Sequence, residues 1–108
     1  METAKPLVIG HRGAMGHETE NTIASIQKAL DLDVDMIEID VFKIASGEIV
    51  VFHDDTVERL TNGSGNIEAY TWVNLQKVTV KGDHKIPLLT DVIDVINRKV
   101  PLNIELKG

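Results

Sequence analysis

Apolar positions along this chain switch repeatedly between a strand-like and a helix-like period. Leu7-Val8-Ile9 is a short apolar run between Lys5 and Gly10, which predicts a buried strand delivering His11, Arg12 and Gly13 at its C-terminal end. After a loop, Ile23, Ile26, Ala29 and Leu30 recur at helical spacing to about Leu32, behind Asn21 or Thr22, either of which suits an N-cap. Met36 to Val41 alternates strictly, so Ile37, Ile39 and Val41 share one face of a strand and Met36, Glu38 and Asp40 the other. Gly47 punctuates, and Ile49-Val50-Val51-Phe52 is another extended run, ending in His53-Asp54-Asp55. Residues 56–85 are the least periodic: Asn62 to Asn66 is a turn cluster, and Thr71 to Val78 supplies one or two helical turns of an irregular excursion. Beyond Pro87, Leu89, Val92, Ile93 and Ile96 mark a second amphipathic helix, with Arg98 and Lys99 suited to its negative end and Pro101 stopping it. Leu102 to Lys107 alternates again and places Asn103, Glu105 and Lys107 on one face. Strands alternating with helices in this order imply an α/β fold with a parallel sheet.

Composition narrows the class. A chain of 108 residues fits one domain or part of one, and 43% hydrophobic with 26% charged residues is enough for a core and unlike a disordered chain. Eleven Lys and Arg against 17 Asp and Glu leave a net charge of −6, which argues against nucleic acid or an anionic membrane surface as partner. An anionic substrate must then be held by local charges or by a metal. The absence of cysteine excludes disulfides, thiolate zinc sites and cysteine nucleophiles together. No apolar run has signal-peptide length or approaches the ~18 residues of a membrane span, so a cytoplasmic location is expected.

Ionisable groups gather where parallel strands end, the side of an α/β sheet that holds ligands. His11 and Arg12 follow the first strand, Glu38 and Asp40 lie on the second, His53 closes an extended run in the same way, and Glu105 and Lys107 lie on the last. Glu38 and Asp40 are spaced roughly 6.5 Å apart on one strand face, where two carboxylates repel unless protonated, hydrogen-bonded or bridged by a cation. With Glu105 they form an oxygen cluster suited to Mg²⁺ or Ca²⁺, although an isolated pair of this kind also suits a solvated edge. His11 and His53 are the natural general acid and base, and Arg12 and Lys107 could clamp a phosphate or serve as plain surface charges. His17 and His84 read as solvent-facing loop residues, Gly63 and Gly65 as a turn rather than a phosphate cradle, and Trp72 as a core plug.

These residues also form an ordered set. Gly10-His11-Arg12-Gly13, Glu20-Asn21-Thr22, Glu38-Ile39-Asp40-Val41, His53-Asp54, Arg59 with Thr61, Gly63 and Gly65, Ile86-Pro87 and Asn103 to Lys107 resemble the glycerophosphodiester phosphodiesterase family. The resemblance implies a TIM barrel with its site at the C-terminal strand ends. It implies Glu38, Asp40 and Glu105 as ligands of a divalent metal ion, Mg²⁺ or Ca²⁺, His11 and His53 as the acid and base, and Arg12 and Lys107 as holders of the substrate phosphate. It further implies that residues 54–85 are the family insertion over the glycerol end of the substrate. Thr19 stands where the family usually has Pro, and Leu88 where it has a helix-capping Thr.

A TIM barrel takes about 250 residues, so residues 1–108 are expected to be the N-terminal part of the domain, with roughly the first three β/α units and no closing wall. The implied activity is metal-dependent hydrolysis of a small-molecule glycerophosphodiester to glycerol 3-phosphate and an alcohol, the attacker being water or the substrate's own hydroxyl. Taken literally, the chain reads as a noncatalytic fragment that self-associates through open strand edges and at most binds a cation, before it reads as an efficient catalyst. A further alternative is a phospholipase C- or D-like lipid phosphodiesterase.

Overall fold

A computed structural model of the chain describes residues 8–14, 16 and 18–107, so the expectations resting on Lys5, Leu7 and His17 lie outside the described residues. The central strand is β2 (Met36–Lys43), buried on both faces for most of its length. β1 (Ile9–His11) and β4 (Leu102–Leu106) pair with it in parallel, and β3 (Ile49–Val51) pairs with it antiparallel. Ile37 and Glu38 are paired on both sides, with Gly10 and His11 of β1 and with Leu102 and Asn103 of β4. Val41 is likewise flanked by Val51 and Leu106, so β1 and β3 succeed each other along one edge of β2 while β4 takes the other.

The direction of β3 corrects the expectation of parallel strands throughout. β2 and β3 form a hairpin that runs past the paired end of β1 and returns, with the Phe52 N–H donating to the Asp40 carbonyl at 2.9 Å. His53 therefore reaches the level of Asp40 from beyond the strand end, not by rising through the sheet. The burial expected of the first strand also fails: Val8 is 54% and Ile9 51% exposed, because among the described residues β1 has a neighbour on one side only.

α1 (Ile23–Asp31) and α3 (Leu89–Ile96) cover one face of the sheet, packing Ile26, Ala29, Val92 and Ile96 on Ile37, Ile39 and Val41. α1 starts at Thr22, not Asn21: the Thr22 Oγ1 accepts from the Ser25 N–H, and the Ser25 Oγ accepts from the Thr22 N–H. α3 starts at Leu88, which offers no capping oxygen; Asp91 instead accepts from the Leu88 N–H at 3.2 Å. It ends at Asn97, in the left-handed conformation, so Arg98 and Lys99 lie just past it.

The opposite face of β2 changes character along its length. Glu38 and Asp40 face the carboxyl-rich side, and then Phe42 joins a second core with Val57, Ile67, Leu75, Val78, Val80 and Ile86. Residues 54–85, aperiodic in sequence, thus have an apolar centre of their own. They include a single 3₁₀ turn (Ile67–Ala69) and the short α2 (Trp72–Leu75) within the segment expected to be helical. Trp72 is half-buried against this core.

Candidate active site

The loop leaving β1 is shaped for close approach. Arg12 and Gly13 both adopt positive φ, 52° and 78°. Gly13 has no alternative, since a Cβ there would run into the Ser25 side chain while its N–H donates to the Gly10 and Glu38 carbonyls. The turn brings the Arg12 N–H to Glu38 Oε1 at 3.2 Å and folds the Arg12 guanidinium over the sheet, with Nε 3.5 Å from Asp40 Oδ2 and Nη1 donating to Glu20 Oε2 at 3.0 Å.

Strand pairing sets the remaining positions. His11 lies opposite Glu38, with Nε2 3.6 Å from Oε1, and Asp40 lies opposite Glu105. Glu38, Asp40 and Glu105 each offer a carboxylate oxygen within 4.8 Å of the others. Glu38 and Asp40 are buried, whereas the Glu105 side chain is 58% exposed. Lys107 donates to Glu105 Oε1 at 3.2 Å, and its backbone N–H continues the ladder to the Val41 carbonyl. Burial pushes the Glu38 carboxyl above its usual range and the Asp40 charge adds to this, against the lowering by the Arg12 N–H and by His11. Three carboxylates held this close supply hard oxygen donors that fit a divalent cation and give a soft metal no ligand it favours.

His53 enters from the β2–β3 hairpin, with Nδ1 2.8 Å from Asp54 Oδ1. Asp54 also accepts from Arg59 Nε at 2.6 Å and Nη2 at 3.1 Å. These bonds from Arg59, and then the one from His53, pull the Asp54 carboxyl down to about 2 against the effect of its partial burial, and Arg59 is correspondingly held protonated. Sequence reasoning counted Glu20, Asn21, Asp54 and Arg59 among the family blocks, and Asn21 as a candidate N-cap, but gave none of them a role in the site. Asn21, at φ 53°, grips Asp40 from two sides: its Nδ2 donates to Oδ2 at 3.2 Å and its Oδ1 accepts from the Asp40 N–H at 3.4 Å. A polar residue just ahead of a helix that does not cap it was the available signal. His84 is half-buried in a turn with Val80, where it lines a pocket together with Thr19, Glu20 and Lys81, and so is less open than expected.

The model of the glycerophosphoryl diester phosphodiesterase family matches residues 11–108. A glycerophosphodiester phosphodiesterase of Caldanaerobacter subterraneus subsp. tengcongensis is 40% identical over 112 residues, covering 96% of this chain and 46% of that protein. Among solved structures, a phosphodiesterase from Oleispira antarctica in complex with the product sn-glycerol-3-phosphate superposes with a TM-score of 0.90 at 36% identity, over 94% of this chain and 44% of that one. A glycerophosphodiester phosphodiesterase from Agrobacterium tumefaciens str. C58 gives 0.90 at 30%, over 96% and 48%. The chain spans less than half the length of these relatives. Its described part is an α/β unit with an open four-stranded sheet beside the closed TIM barrel of its neighbours. By the match across nearly its whole length, the chain belongs to the glycerophosphoryl diester phosphodiesterase family.

Proposed function

We propose that this chain carries the acid/base, phosphate-binding and cation-binding residues of a glycerophosphodiester phosphodiesterase, which releases glycerol 3-phosphate and an alcohol. The observation that carries this reading is the meeting of Glu38, Asp40 and Glu105 within 4.8 Å at the strand ends, with His11 and Arg12 packed against them. Those carboxylates would hold Mg²⁺ or Ca²⁺, which when bound neutralises phosphate charge and lowers the pKa of the attacking group. His11 and His53 exchange the protons of the nucleophile and the leaving alkoxide. Arg12 and Lys107 hold the phosphate, Arg12 as a planar fork and Lys107 as a point charge.

In this reading the chain supplies about the first three β/α units, and residues 54–85 are the family insertion covering the glycerol end of the substrate. The exposed Val8, Ile9, Ile104 and Leu106 on β1, β4 and their margins support pairing with further strands, including those of a second copy. A monodisperse monomer in sedimentation at micromolar concentration would remove the self-association. No helix among the described residues is long and apolar enough to cross a membrane.

Glycerol 3-phosphate release from glycerophosphocholine, followed with Mg²⁺, with Ca²⁺ and after EDTA, tests the function. His11→Ala and His53→Ala are each expected to slow release by about 10²-fold or more. Turnover that survives both substitutions, or that ignores the chelator, overturns the assignment.

A further inference from the structure

His53 and Arg12 come from separate segments, and the groups that join them have no part in the chemistry proposed above. Glu20 is only 7% exposed and lies between two guanidiniums: Arg12 Nη1 and Arg59 Nη2 both donate to its Oε2 at 3.0 Å. Arg59 turns its remaining edge to Asp54, at 2.6 and 3.1 Å, and Asp54 meets His53 Nδ1 at 2.8 Å. The contacts run without a break from His53 through Asp54, Arg59 and Glu20 to Arg12.

An isolated exposed ion pair fixes little, but a guanidinium fork between two carboxylates constrains both in position and angle. A buried carboxylate such as Glu20 needs this compensation, since an unpaired charge there would be strongly destabilising. Thr19 Oγ1 adds a second tie by donating to the Lys81 carbonyl at 2.9 Å, so the β1–α1 loop holds residues 54–85 at two points. The low Asp54 pKa fits a carboxylate kept charged for both its partners.

We propose that Glu20 and Arg59 are positioning residues that lock the His53 ring and the Arg12 guanidinium to each other across the boundary between the β1–α1 loop and residues 54–85. The inference rests on the functional reading above for the roles of His53 and Arg12. A purely structural tie would hold the excursion down without setting the ring of His53.

Two measurements separate these roles. Long-range ¹H–¹⁵N spectra of imidazole-labelled protein should show His53 with its proton fixed on Nδ1. In Arg59→Lys, which keeps the charge but lacks the planar fork that fixes both carboxylates in angle, the His53 signals should move toward those of a freely exchanging imidazole while the fold, followed by circular dichroism, persists. On glycerophosphocholine, Arg59→Lys and Glu20→Gln should each lower kcat by about tenfold or more. Glu20→Gln should also raise KM through Arg12, and the double variant should be no worse than the poorer single. Unmoved His53 signals in folded Arg59→Lys, or losses that multiply in the double variant, overturn the proposal. Should Glu20→Gln fail to fold, Arg59→Lys at its half-exposed site carries the test alone. A wild type that releases no glycerol 3-phosphate overturns the function instead, and the spectra then decide the positioning role by the same criterion.

Discussion

Gly13 shows how a single missing Cβ places the site. Its φ of 78° and its contact with Ser25 turn the chain so that the Arg12 N–H meets Glu38. Gly13→Ala is expected to destabilise the protein by about 2–4 kcal/mol in chemical denaturation, from left-handed strain and overpacking together. Asn21→Ala removes both bonds to Asp40 and leaves a buried backbone N–H unpaired, at a cost of about 1–3 kcal/mol. It should also weaken Ca²⁺ binding by roughly tenfold in calorimetry, because Asp40 loses the group that orients it. Asp54 makes the pH dependence explicit. Its folded pKa of about 2 lies below the 3.8 usual for an aspartate in an unfolded chain, so the pair with Arg59 stabilises the fold above about pH 4 and is lost as pH falls through 2. With screening at the half-exposed Arg59 allowed for, the contribution is about 1 kcal/mol. The difference in melting temperature between wild type and Asp54→Asn should therefore narrow as pH falls from 4 through 2 and vanish only near about pH 1.

Secondary-structure elements were legible to different degrees, for physical reasons. α1, β2 and β4 bury one face or alternate cleanly, and their periods appear directly in the order of residues. β3 was legible as an extended run, but its direction was not, because alternation has no polarity. The five residues between Lys43 and Ile49 were the clue: a parallel crossover needs about a dozen, so so short a link forces a hairpin. The helix starts differ in the same instructive way. Thr22 and Ser25 cap each other, and Thr22→Ala should cost α1 about 1–2 kcal/mol, measured by thermal or urea unfolding. At α3 the cap oxygen is absent and Leu88 packs on the second core instead, so its side chain contributes through burial.

At the scale of the whole molecule, two apolar centres on opposite faces of β2 leave a polar strip between the sheet and residues 54–85, where charge is concentrated. Three of the acids behind the net charge of −6 lie there within 4.8 Å of one another. A divalent cation that binds the folded site alone should raise stability, by about 2.7 kcal/mol at one hundred times Kd. Asp40→Asn should abolish that gain in melting temperature, and a chelator should reverse it in the wild type.

The order of residues by itself determined the family blocks, the helical and extended segments, and the set of acids, histidines and cations at strand ends, because each of these depends on local spacing. Tertiary structure alone decided how those groups meet. The return of β3 along β2, the apolar centre within residues 54–85, and the bridge from Arg59 to Glu20 join residues far apart in the chain. Such contacts follow from which surfaces find burial and which charges find partners, and no local periodicity encodes that.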